Sequence, residues 1–110
     1  VMTKKNKKGL PIYELSMALE GRVDEFDDPI PDVTHVEFLR DYMTAGDFQV
    51  ILQIIGDRDV TEALEDQGVL MGVVMALLPR MTTLTAEEAS MIHARDFMSL
   101  VEVVSPFLSL

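Results

Sequence analysis

The run Val69–Leu78 carries ten residues without a charge and stops at Pro79. So apolar a stretch does not sit in water, and it falls well short of the roughly 20 residues that cross a bilayer. It reads as a buried helix. Leu64, Met71, Val74, Met75 and Leu78 follow helical spacing, and Leu70, Val73 and Leu77 widen the stripe. A helix apolar this far round needs cover on more than one side, so the chain must build its other elements around it. Asp59 and Glu62 form a capping pair at its start, and Pro79 with Thr82–Thr83 closes it, giving one helix from Val60 to about Leu78. Gly68 and Gly72 each cost about 1 kcal/mol there relative to alanine. Close approach of another helix would offset that cost; simple tolerance of the two glycines is an equal reading.

Two further start signals lie downstream. Thr85 and Glu88 fit a capping box that opens a short helix, Ala86 to about His93, with Ala89 and Ile92 inward. Asp96 reads as the cap of a last helix, in which Phe97, Leu100, Val101, Val104, Phe107 and Leu108 share a face. Ser99, Glu102 and Ser105 lie opposite, and Pro106 should kink the final turn.

The amino-terminal half is less regular. Residues 1–9 are polar and basic and read as a flexible tail, with Met2 as the natural start after an added Val1. Leu10–Leu19 alternates like a strand, although its composition also suits a helix; strand is the favoured reading. Glu20-Gly21-Arg22 then turns the chain, and Val23–Phe26 would complete a hairpin that must pack on the helices to survive. Pro29 and Pro31 make the next residues a loop. Thr34 reads as the cap of a helix carrying Val36, Leu39, Tyr42 and Met43, broken at Ala45-Gly46-Asp47. Phe48, Ile51, Leu52 and Ile55 give another helix, ended by Gly56.

Charge narrows the function. Beyond residue 8, five arginines stand against 19 acidic residues, so the body repels nucleic acid and anionic membrane surfaces. There is no cysteine, which removes disulfides and thiolate metal sites and fits an intracellular life. Asp24, Glu25, Asp27 and Asp28 invite calcium, but they lack the ligand spacing and turn glycine of a calcium loop, so a solvated acidic loop is expected. His35 and His93 have no metal-type partner spacing. No nucleophile elbow, phosphate loop or dinucleotide fingerprint occurs. The reading is therefore not an enzyme, with no cofactor. The eight methionines sit mostly at core-type positions, where a malleable groove is a second use.

Over Asp59–Leu108 the order of parts resembles the small tail assembly chaperones of long-tailed bacteriophages. The parts are the aliphatic helix Val69–Leu78, the link Leu84-Thr85, the short helix Ala86–Ile92, and Asp96-Phe97 opening an amphipathic helix with Leu100, Val104, Phe107 and Leu108. Tyr13–Phe26 and Thr34–Met43 could mirror the β-like segment and helix that precede these parts in that family. The lysine-rich start and Pro106 depart from the pattern. The resemblance implies a protein of the host cell cytoplasm that coats the tape measure protein before the tail tube polymerises, and that is missing from the finished particle. The tape measure protein is the implied partner, and the tail tube protein a further one. The alternative is a small acidic helical adaptor or regulator, such as a head–tail accessory protein or an inhibitor.

The expected architecture is mainly α: a single helical domain over 10–110 with a short amino-terminal β-hairpin, forming a homo-oligomer. Leu64, Met71, Met75, Leu78, Phe97, Leu100, Val104 and Phe107 are its candidate partner-binding or core residues.

Overall fold

A computed structural model describes residues 3–108. The reading of Val1 and Met2, and the last two residues of the expected domain, lie outside them. The fold corrects the mainly α expectation. Five helices, about half of the chain, pack with a three-stranded antiparallel sheet, so the domain is mixed α and β.

The sheet grows from Pro11–Leu19 (β2), the stretch whose alternation reads as strand. Tyr13 and Leu19 are buried and Glu14 faces water. β2 does not form a hairpin with Val23–Phe26. Lys4–Lys5 (β1), read as part of a tail, pairs with its start, as Lys4↔Ile12 and Lys5↔Pro11. Val33–Glu37 (β3) pairs along the other edge, as Ile12↔Glu37, Tyr13↔Val36 and Glu14↔His35, then Leu19↔Val33. Between the last two pairs β2 advances five residues and β3 two, so β2 bulges around Ser16 and Met17. In place of the expected second strand, residues 23–29 form a tight loop closed by one Val23↔Pro29 bridge.

β3 replaces the helix expected after Thr34. Val36 and Phe38 are fully buried at the strand period, whereas Leu39 and Tyr42, which helical spacing would place inward, are 57% and 62% exposed. The next helix, expected over Phe48–Ile55 and ended by Gly56, forms as Ala45–Ile55 (α1), starting three residues earlier. The triplet Ala45-Gly46-Asp47, read as a breaker, is its first turn. Thr44 and Asp47 form a complete capping box, which outweighs the weak helix propensity of Gly46. A Cβ there would stand 2.7 Å from Nη2 of Arg80, so a larger residue would push the end of that side chain aside.

The helix expected over Val60–Leu78 is two helices. Val60–Glu65 (α2) is capped by Asp59, which accepts from Glu62 N at 3.1 Å. The chain breaks at Asp66 and restarts as Gln67–Met81 (α3). Asp66 leaves helical geometry at ψ 118° and accepts from Gly68 N and Val69 N, so it caps the new helix. Pro79 lies inside α3, and Thr82 closes the helix instead. Ala86–Met91 (α4) has the expected Thr85–Glu88 box, with both bonds made at 3.1 and 3.0 Å. Ala94–Val104 (α5) continues into a 3-10 turn, Ser105–Leu108, at Pro106.

α3 is the hub and packs against α1, α2, α4 and α5, while α5 also lies on β2. Val73, Val74, Leu77 and Leu78 of α3 meet Leu100, Val101 and Val104 of α5 in one core. Phe38 and Phe107 close it edge to face, with centroids 5.8 Å apart.

A candidate binding surface on an acid-pinned scaffold

Two aspartates with no exposed surface hold this scaffold. Asp47 stands three residues after Thr44 and bonds back to the Thr44 N–H at 3.0 Å. The same carboxylate takes Nη2 of Arg40 at 2.8 Å and Nε of Arg80 at 2.7 Å, and also touches Nη1 of Arg40. Burial opposes its charge, but the Arg40 and Arg80 guanidiniums and the Thr44 amide overcome that and hold its carboxyl far below the ordinary 3.8. The cluster pins the β3–α1 connection to the end of α3.

The sequence points to Asp96 as the cap of α5. That cap is instead His93, whose Nδ1 accepts from Arg95 N at 3.1 Å. Asp96 sits in the first turn and reaches across to β2. One oxygen accepts from the Tyr13 hydroxyl and Ser16 N, each at 2.9 Å, and the other from Met17 N at 3.2 Å. The bulge turns these two amides away from β3, and the carboxylate satisfies them. Again burial opposes the charge, and the donors from Ser16, Tyr13 and Met17 prevail, keeping the carboxyl below its ordinary value.

The sequence-selected residues fall into two groups. Leu78, Phe97, Leu100 and Val104 are core. Leu64, Met71, Met75 and Phe107 are half-buried and pack against that core. The stripes of the Val60–Leu78 and Phe97–Leu108 regions are therefore largely covered within the chain. What remains open is the outer side of α3. Gly68, Gly72 and Ala76 lie four residues apart on one ridge, and Met71 and Met75 run beside it. No charged side chain occurs from Gln67 to Pro79. Both glycines are exposed, and a Cβ on Gly72 would meet nothing within 4 Å, so no element of this chain uses their close approach. The result is a face of α3 with no charged side chain of its own helix, bordered on one side by Met71 and Met75.

Among the described residues, no group of three or more His, Asp or Glu is placed to hold a metal. Asp24, in the acidic loop, accepts from Phe26 N and Asp28 N of its own turn. Of the two histidines, His93 caps α5, and His35 lies exposed on β3 beside the Thr34 hydroxyl. No described helix is long and apolar enough to cross a membrane. Compared with protein-family models, curated proteins and solved structures, the chain matches none.

Proposed function

We propose that this chain is a non-enzymatic helix-binding protein, a tail assembly chaperone that holds the tape measure protein of a long-tailed bacteriophage until the tail tube forms around it. The observation that carries the reading is the outer face of α3, where exposed Gly68 and Gly72 form an uncharged ridge with Met71 and Met75 along one side. The order of parts over Asp59–Leu108 supports the same reading. An amphipathic helix lies on such a face through its apolar side, and flexible thioethers adapt to successive segments of a long partner. The acidic body keeps the loaded complex soluble.

Co-expression with the tape measure protein tests this. The two should co-purify, and Gly72→Glu should abolish the complex while the melting temperature holds, because the position is open and glutamate is the better helix former. Retained binding by Gly72→Glu removes α3 as the binding face. Failure of the intact chain to bind, or a gene lying elsewhere than between those of the tail tube and tape measure proteins, removes the chaperone reading.

A further inference from the structure

The two ends of β2 carry opposite features that match each other. At the Ile12 end lies an open concavity of ≈ 520 Å³, lined by Leu10, Ile12 and Leu39 and rimmed by Lys5, Lys7 and Lys8. These three lysines have no ion-pair partner among the described residues, unlike Lys4, which pairs with Glu14 at 2.7 Å. Glu37 also lines the concavity, with its carboxylate taken by Asn6 Nδ2 at 3.0 Å. Every lysine of the chain falls within residues 4–8, so this is where a strongly acidic protein concentrates positive charge.

The Leu19 end leads into the loop of residues 23–29. Phe26 stands at its tip, 77% exposed, the most exposed of the large apolar side chains among the described residues. Glu25, Asp27 and Asp28 surround it, all exposed. The loop is built rigidly. Asp24 Oδ1 accepts from Phe26 N at 2.8 Å and Asp28 N at 3.0 Å, Asp27 holds a left-handed φ of 65°, and Ile30 N bonds back to Arg22 O. At its foot, Arg22 donates to Pro31 O and Glu88, so α4 anchors the base. The ring is thus held outward, mostly in water, on an acidic mount, and a preorganised knob loses little freedom on docking.

We propose that Phe26 of one copy inserts into the lysine-rimmed concavity of the next, so that copies join head to tail. The ring brings ~150–250 Å² of apolar surface to a floor of Leu10, Ile12 and Leu39. Glu25, Asp27 and Asp28 then meet Lys5, Lys7 and Lys8, and this charge match selects a second copy as the occupant. Ile12 and Leu19 are seven residues apart along β2, about 20 Å at strand rise, so the knob cannot reach its own concavity. The junction uses two different patches and repeats along a row or ring. It goes beyond helix binding and uses none of the α3 face.

Sedimentation velocity over a concentration series tests it. In low salt the intact chain should grow past dimer as concentration rises, and raising ionic strength tenfold should return it toward monomer, since ion pairs at a rim are screened. Phe26→Ala and the double variant Lys7→Glu/Lys8→Glu should each weaken association by more than about tenfold. Both alter exposed side chains, so circular dichroism should be unchanged. Mixed together, the two variants should form a heterodimer and stop, because one supplies the only sound concavity and the other the only sound knob. A monomeric intact chain at all concentrations, association indifferent to Phe26→Ala, or no heterodimer from the mixture would each overturn the proposal.

Discussion

Asp47 and Asp96 occupy the same place in two helices of equal length: each is the third residue of an 11-residue helix and has no exposed surface. Both gain from the helix dipole as anions. Their partners differ in kind. Asp47 closes its own helix through the Thr44 box and is held by two guanidiniums. Asp96 has only neutral donors, all from β2, 79 to 83 residues away in sequence. The residue before each helix explains the contrast. Thr44 needs a reciprocal partner three residues on. His93 accepts Arg95 N through its own ring nitrogen, which leaves the aspartate free to look outward. The same helix position thus serves a local cap with an ionic anchor to Arg80 in one case, and a tether to neutral strand donors in the other.

The largest expected effect is at the ionic site. Arg40→Met leaves Asp47 buried with Arg80 alone, and losing one partner of a buried ion cluster costs about 3–5 kcal/mol. Chemical denaturation measures it; a loss under about 1 kcal/mol would mean that Arg80 and the Thr44 amide suffice. Next comes Asp96→Ala. It strands the Tyr13 hydroxyl and two strand amides, for an expected loss of about 3 kcal/mol. A helix cap would cost only about 1 kcal/mol, so a small loss would return Asp96 to the capping role.

Acid titration separates the two sites further. Both carboxyls have folded values below the ordinary 3.8, so the stability they contribute is present above about pH 4 and is lost as pH falls below it. Glu88, held low chiefly by its bond from the Thr85 backbone, adds in the same direction. Melting temperature should stay flat from pH 7 to about 5 and drop below 4. Asp96→Asn should shorten that drop and leave the part due to Asp47; an unchanged acid limb would show that Asp96 does not titrate with unfolding. Smallest is Tyr13→Phe, about 1 kcal/mol, since Ser16 and Met17 keep their acceptor. A cost equal to that of Asp96→Ala would make the phenol the main tether.

Legibility in the sequence divides along the same line, between local and distant partners. Signals complete within a few residues are legible: the Thr85–Glu88 box, the Asp59 cap, the strand period of β2 and the buried stripe of α5 with Leu100 and Val104. Signals that need a distant partner are not. Val36, Leu39, Tyr42 and Met43 fit a helix by spacing, but pairing with β2 makes Val33–Glu37 a strand and puts Phe38 inward. Two local caps escape that division, because a competing apolar or breaker pattern overlies them: Asp66, which starts a new helix at Gln67 inside a sound apolar period, and the Thr44–Asp47 box, which lies in a triplet that reads as a breaker. Apolar spacing locates Met71 and Met75 but does not say which flank of α3 stays open. By local pattern Phe26 reads as the end of a strand, and Lys5, Lys7 and Lys8 as a solvated tail. The cue available for both is charge: a lone aromatic among carboxylates, and every lysine in one short stretch.

The tether from Asp96 to β2 also sets an order in time. Ribosomes release roughly 5–20 residues per second, and β2 emerges long before Asp96. Until then the Ser16 and Met17 amides at the bulge lack their acceptor, and Phe38 lacks Phe107. The sheet is therefore finished only once α5 has emerged. Contacts that span most of the sequence slow closure, and a nascent chain ending before α5 holds its central strand unsealed. Sealing of the central strand therefore waits for α5 instead of following the order in which the strands are made.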